Sequence, residues 1–271
     1  MEKITSRKNP LAMHVKKLGV SREYRKECGE FLCDGIKLLE EAVKSGAEII
    51  AVLTASNVPF PLPLETRVFY SDRSLIDSLS PLKNAQDTLF TCRVRSIEYM
   101  ENSEFRIPSS ELSYTASVSS GAHILLDGIQ DPGNVGAIIR TANALGIRNV
   151  LLTNGCADPY NPKTIRASMG AIFRQRFYSM SFSELSKLKE KNVRFIGAVS
   201  DDGCKDISSI NMSSSIVAIG SEGSGLSDEV LSLCDELLTI PISPKSESLN
   251  ASVAAAIIMW EAHRSRAEDR G

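Results

Sequence analysis

The 271-residue sequence has no C-x-x-C pair among its six cysteines, and its three histidines, His14, His123 and His263, do not cluster with them. A structural zinc site needs closely spaced ligands of these kinds, so no metal is expected. Most of the cysteines (Cys28, Cys33, Cys92, Cys156, Cys204 and Cys234) sit beside apolar residues, the setting of reduced core thiols. Long apolar runs are missing too. The longest, at 124–126 and 254–260, fall far short of the ~20 residues that cross a bilayer, and no apolar stretch follows the opening Met1-Glu2-Lys3-Ile4-Thr5-Ser6. A soluble, cytoplasmic protein with no membrane partner is expected. Three common catalytic signatures are also absent. No G-x-G-x-x-G, no phosphate-binding loop ending in Lys and no G-x-S-x-G nucleophile turn can be read.

A strong net charge is likewise lacking, because the formal value is −2. Global charge therefore does not announce a nucleic-acid binder. The distribution is uneven, however. Residues 1–26 carry Lys3, Arg7, Lys8, Lys16, Lys17, Arg22, Arg25 and Lys26 against only Glu2 and Glu23. Such a segment can contact phosphates, although charge alone fits a solvated helix face equally well.

What is present is an α/β pattern in two parts, with 42% hydrophobic residues to build cores. In the first hundred residues, helical spacing at 9–27, 36–44 and 72–79 is interleaved with strand-like runs at 30–33, 49–53, 68–70 and 88–94. Serines crowd 109–121 and mark a linker, which divides the chain into 1–106, 107–120 and 121–271. From His123 onward strands are expected at 123–127, 149–152, 194–199, 216–219 and 237–240. Helices are expected at 133–145, 162–169, after a Ser181/Glu184 capping box, and at 248–267. This alternation indicates a parallel sheet covered by helices, with ligands beyond the carboxyl ends of its strands.

Three loops stand at such ends. The first, Asp127-Gly128-Ile129-Gln130-Asp131-Pro132-Gly133-Asn134, runs into a helix bearing Arg140. Asn134 and Arg140 lie under two turns apart and offer neutral and charged donors suited to phosphate or ribose oxygens. A helix cap and a surface arginine would fit the same spacing. The second loop, Gly220-Ser221-Glu222-Gly223-Ser224-Gly225-Leu226-Ser227, holds one acid among small residues. The third spans 240–254 and passes through Ser248, Leu249 and Asn250 into an alanine-rich helix.

Together the three segments resemble the motifs of the SpoU (TrmH-type) branch of the SPOUT methyltransferases. Asn134 to Ala142 is similar to N-x-G-x-x-x-R-T-A, Gly220 to Ser227 to G-x-E-x-x-G-L-S, and Ile240 to Ala254 to I-P-M-x-G-x-x-E-S-L-N-x-S-V-A. Arg166-Ala167-Ser168-Met169-Gly170-Ala171 resembles the family's R-A-S-x-G-A. The stretches 4–10 and 31–35 look like its substrate-binding domain, which itself resembles a ribosomal protein. Three positions depart from the pattern. Pro244 and Ile242 replace the glycine and methionine of the third motif, and Asp87 replaces a glycine near the last strand of the first domain.

The resemblance implies an RNA 2′-O-ribose methyltransferase using S-adenosylmethionine, with ribosomal RNA of the large subunit ahead of transfer RNA as substrate. It implies a deep trefoil knot in the 121–271 domain and a homodimer with each site near the subunit interface. Gly220, Ile240 and Leu249 are then the cofactor contacts, and Arg7, Lys8, Lys16 and Lys17 the RNA contacts. Arg140 would stabilise the developing ribose oxyanion, Asn134 would orient Arg140 or the ribose, and Glu222 would hold Arg140. Ser248 and Asn250 would position the substrate. A non-catalytic RNA-binding or ribosome-assembly protein on the same scaffold is the alternative, and Pro244 is its one support. A nucleotide-dependent small-molecule enzyme fits less well, because phosphate-loop signatures are absent.

Overall fold

The computed structural model describes residues 2–94, 122–201 and 203–268, so the linker expected at 107–120 lies outside the described residues. The chain forms two compact units. One is Met1–Ser96 with Asp158–Arg174, and the other is Ile97–Ala157 with Gln175–Gly271.

The first unit is built on a mixed five-stranded sheet of β1 (Glu2–Lys3), β2 (Glu30–Asp34), β3 (Ile49–Thr54), β4 (Arg67–Tyr70) and β5 (Thr88–Arg93), in the order β1-β4-β3-β5-β2. β1, β4 and β3 run parallel, and β5 pairs antiparallel with both β3 and β2. Ile4, Leu18, Leu32, Leu53, Ile76 and Leu89 form part of its core. The helix expected across 9–27 is two helices, Pro10–Val20 and Arg22–Cys28. Ser21 takes an extended conformation between them, and its hydroxyl accepts the Tyr24 N–H at 3.1 Å. A serine cap interrupts a continuous helical pattern because its side chain replaces the backbone partner there.

Asp158–Arg174 packs in this unit, although the alternation of strands and helices had assigned it to the second sheet. Its helix Pro162–Ser168 lies against β2. Phe31 of β2 meets the rings of Tyr160 and Phe173 at centroid distances of 4.7 and 6.3 Å. Beneath them Asp158 accepts from Arg25 Nε at 3.0 Å and Nη2 at 2.6 Å, with both side chains buried. Hydrophobic spacing says that a helix covers a sheet, but not which sheet.

The second unit holds β6 (His123–Leu126), β7 (Asn149–Thr153), β8 (Arg176–Met180), β9 (Arg194–Ala198), β10 (Lys205–Asp206), β11 (Ser215–Ile219) and β12 (Glu236–Thr239). They form one sheet in the order β10-β12-β9-β11-β6-β7-β8, parallel throughout. All seven carboxyl ends therefore share one edge, and the three loops leave that edge from β6, β11 and β12. The capping box of Ser181 and Glu184 is present. Edge strand β8 was not expected, and the short Arg176-Phe177-Tyr178-Ser179-Met180 run alternates too briefly to declare itself. The helix Asp228–Leu233 was also missed, despite a Ser227 cap and two acids in its first turn. The last helix starts at Ala251, not at 248. Among the described residues, no helix is long and apolar enough to cross a membrane.

Candidate active site

The first loop is anchored from below. Asp127, buried at the end of β6, accepts the Ser227 N–H at 2.7 Å and the Thr153 hydroxyl at 3.0 Å. Thr153 Oγ1 in turn accepts the Gly128 N–H at 3.1 Å. One carboxylate thus joins the first loop, the second loop and the end of β7. Asp131 then caps the helix Pro132–Ala144 by accepting the Asn134 N–H at 2.8 Å, with Pro132 in the first turn where its missing N–H is not needed.

The second loop folds tightly on itself. Ser221 and Gly225 exchange both backbone hydrogen bonds at 3.0 Å, and a Cβ placed on Gly220 would lie 2.0 Å from the Gly225 carbonyl carbon. Only glycine permits that approach. In the third loop Ser246 N–H donates to Ser243 O at 2.8 Å, which places Pro244 at the second position of a turn. Proline favours that position, and its absent N–H breaks no bond there. The departure from the family glycine is therefore absorbed at an exposed corner.

The three loops converge on Glu222. Its Oε1 accepts from Asn134 Nδ2 at 2.9 Å, Asn250 Nδ2 at 2.6 Å and the Ala251 backbone N–H at 3.0 Å. Asn250 Nδ2 also reaches Asn134 Oδ1 at 3.2 Å, while Asn250 Oδ1 accepts from Ser252 N–H and Oγ. These partners fix the orientation of both amides. The carboxylate also stands at the first turn of the 18-residue helix Ala251–Glu268, where free N–H groups favour a negative charge.

Beside this cluster lies a cavity of about 460 Å³. The cofactor contacts expected from the sequence, Gly220, Ile240 and Leu249, all line it, as do Ser248, Glu222 and Glu247. Arg140 is not gathered in. It is exposed on the helix Pro132–Ala144 and makes no hydrogen bond or ion pair among the described residues. The expectation that Glu222 holds Arg140 is corrected, since within the chain that carboxylate is engaged by the two asparagines and a helix N-terminus. Arg7, Lys8, Lys16 and Lys17 are exposed in the first unit, with Lys17 Nζ 5.2 Å from the Tyr24 ring centre. Asp127, Thr153, Ser227 and Glu247 were not singled out from the sequence. The only signal for Asp127 was an acid directly after an apolar strand. Burial raises the Cys156 thiol and pushes Cys234 up to about 11, so neither supplies a thiolate at neutral pH.

A profile described as the SpoU rRNA methylase family matches residues 121–260. The 23S rRNA (guanosine(2553)-2′-O)-methyltransferase RlmP of Bacillus subtilis (strain 168) is 30% identical over 263 residues, covering 96% of this chain and 98% of that protein. A 23S rRNA (uridine(2479)-2′-O)-methyltransferase of Streptomyces viridochromogenes is 28% identical, covering 99% and 94%. The crystal structure of the SpoU methyltransferase AviRb from Streptomyces viridochromogenes, in complex with AdoMet, superimposes with a TM-score of 0.79 at 24% identity. That match covers 96% of this chain and 99% of the other. With the motif loops, the parallel sheet and the profile in agreement, the chain belongs to the SpoU rRNA methylase family.

Proposed function

We infer that the chain is an S-adenosylmethionine-dependent RNA 2′-O-ribose methyltransferase, and we propose that 23S ribosomal RNA is its substrate, as it is for the named relatives. The observation that carries the reading is the convergence of Asn134, Glu222 and Asn250 at the rim of a cavity lined by Gly220, Ile240 and Leu249.

The cavity suits this cofactor. A volume of about 460 Å³ lies within the ~300–1,000 Å³ range of small-molecule sites. Ile219, Leu226, Ile240, Leu249 and Ala254 offer apolar walls, and the carboxylates of Glu222 and Glu247 suit a cationic ligand. The bound cofactor supplies an electrophilic methyl group, the hard part of the chemistry. The chain's own residues must then hold the ribose 2′-hydroxyl in line and ease removal of its proton. Asn134, locked by Glu222 and Asn250, keeps one Nδ2 hydrogen to present to the sugar in a fixed direction, while both Nδ2 hydrogens of Asn250 hold the cluster together. Ser248, at the cavity wall, adds a hydroxyl. A guanidinium is a hydrogen-bond donor with no acceptor site, so the role of Arg140 is to stabilise the developing oxyanion rather than to act as base.

The active assembly is a homodimer in this proposal. Val253, Ile257 and Trp260 fall on one face of the last helix at i, i+4 and i+7, with Val253 and Trp260 exposed in the single chain. A partner docked there would place the unengaged Arg140 at or near a subunit boundary. The proposed division keeps an RNA-binding domain at 1–106, a linker at 107–120 and a knotted methyltransferase domain at 121–271. The knot is supported by family membership. Arg7, Lys8, Lys16 and Lys17 are proposed as RNA contacts because they are exposed and basic. Cytoplasmic residence follows from the proposed ribosomal substrate.

Transfer of tritiated methyl to 23S and transfer RNA transcripts, followed by mapping of 2′-O-methyl positions, tests the assignment. Incorporation confined to a single 23S ribose is expected. Methylation of bases, or of transfer RNA alone, would overturn the substrate.

A further inference from the structure

One motif is not used by the catalytic loops. Arg166-Ala167-Ser168-Met169-Gly170-Ala171 packs in the first unit, far along the chain from that unit's other residues. Its small residues have packing roles. Ser168 Oγ donates to Ile165 O at 2.7 Å, and Gly170, at φ 87°, would drive a Cβ to 2.9 Å from Glu41 Cβ. Arg166 does something else. Its Nη1 donates to the carbonyl of Asn84 at 2.8 Å, in the loop 80–87 of the same unit.

That loop is held from three directions. Asp34 accepts the Gln86 N–H at 2.8 Å and the Ser80 hydroxyl at 2.6 Å. Arg73 donates to Ala85 O at 2.6 Å and pairs with Asp87. Arg166 takes Asn84. The backbone is thus consumed inward, and the side chains of Lys83 and Asn84 are exposed, while Gln86 lays its amide over Gly35 and Asp87 pairs with Arg73. Lys163, one turn before Arg166 on the same helix, is exposed as well. The local carboxylates do not neutralise these cations. Asp34 is buried, and Asp87 and Asp77 are taken by Arg73. Lys83 and Lys163 have no carboxylate partner among the described residues, and the one carboxylate whose charge Arg166 feels is the buried Asp34.

We propose that the loop 80–87, with Lys163 and Arg166, is a second RNA-contacting surface, separate from the basic segment at 7–17. It would bind phosphates of the substrate RNA through Lys83, Lys163 and Arg166, with the Asn84 amide free for sugar or base edges. A rigid loop with outward polar side chains recognises a partner without first paying to become ordered. Two uncompensated lysines beside an exposed neutral amide fit a polyanion with hydrogen-bonding edges, which is what RNA presents. The inference rests on the assignment of an RNA substrate given above.

The test uses the full chain and a 23S rRNA transcript, with RNA affinity measured across a salt series and S-adenosylmethionine affinity measured by calorimetry. The double variant Lys83→Glu/Lys163→Glu changes exposed side chains only. It should bind RNA about tenfold more weakly near 0.15 M salt, and its log–log salt slope should shrink by about 1.5, as expected for two lost phosphate contacts. Its cofactor affinity should stay within twofold of wild type. Arg166→Met should weaken RNA binding as well, and Arg166→Lys should restore part of it. If wild type methylates the transcript while the double variant binds it with unchanged affinity and slope, this surface alone is overturned. If wild type neither binds nor methylates the transcript, the substrate assignment falls and this proposal falls with it.

Discussion

Asn134 and Asn250, 116 positions apart in the chain, donate to the same carboxylate oxygen of Glu222 and are bonded to each other at 3.2 Å. The helix bearing Asn134 follows β6 and the helix entered through Asn250 follows β12. The loop bearing Glu222 follows β11, so one acceptor aligns three strand-ends. Replacing Glu222 by Ala leaves three N–H donors without that acceptor. Methyl transfer should fall by about 10²-fold or more, in the range seen when preorganised donors are disturbed. Glu222→Gln keeps one carbonyl oxygen in place and should fall between Ala and wild type. Equal turnover in Glu222→Ala and wild type, measured with tritiated methyl, would remove the residue from the mechanism.

Arg140 makes a contrasting case. It is exposed and has no partner among the described residues, so Arg140→Ala should change folding stability by less than about 0.5 kcal/mol. Cofactor affinity should also hold. Methyl transfer should nonetheless drop by about 10²-fold or more, since the guanidinium acts only on the charge that develops at the ribose oxygen. Normal stability with normal turnover would show that the arginine is a bystander.

The buried Arg25–Asp158 pair is a matter of stability, not catalysis. Breaking it by Asp158→Asn or Arg25→Met leaves an uncompensated buried group and should cost about 3–5 kcal/mol. Replacing both partners with apolar residues of similar size should cost far less. Urea denaturation of the single and double variants measures the difference, and a single variant as stable as wild type would contradict the buried pairing.

Much of this was legible in the sequence, and the rest failed for identifiable reasons. Strands β6, β7, β9, β11 and β12 announce themselves as apolar runs. Gly220, Ile240 and Leu249 fell into one cavity because motif spacing tracks strand-ends. The recruitment of Asp158–Arg174 to the first sheet was hidden, because its decisive contact joins residues 133 positions apart. The partners of Glu222 were hidden for a related reason: the resemblance implied Arg140, whereas within the single chain the folded loops bring two amides to that carboxylate. Pro244 looked like a threat to the cofactor loop until the turn at 243–246 showed a position that favours proline.

Asp34 makes the stability depend on pH in a definite direction. Its burial against the sheet raises the carboxyl above its ordinary value, despite hydrogen bonds from Ser80 and Gln86. The folded state therefore binds this proton more tightly than the unfolded chain does. Its contribution is fully present below the ordinary carboxylate range and is lost as pH rises through the higher folded value. Asp34→Asn is neutral throughout and cannot lose that contribution. The urea midpoint of the variant should gain on wild type as pH rises above the ordinary carboxylate range. A gain in the opposite direction would mean that hydrogen bonding outweighs burial at this carboxylate.

The last helix allows a test of assembly that is independent of catalysis. Trp260 is 57% exposed in the single chain and stacks on His263 with ring centres 6.1 Å apart, while Val253 is 47% exposed on the same face. Large apolar side chains held in line on a helix are stable in water only at a cost, which burial against a second copy would remove. A two-fold interface would bring each such helix against its counterpart, so one substitution acts twice. Trp260→Glu should then convert a dimer to a monomer in sedimentation equilibrium, with the fold kept because the residue packs in no core. Methyl transfer should fall with the dimer if the site near Arg140 needs the second subunit. A wild-type protein that sediments as a monomer while turning over RNA would defeat the dimer proposal outright. A monomeric but fully active Trp260→Glu would leave the interface real and show that each chain catalyses alone.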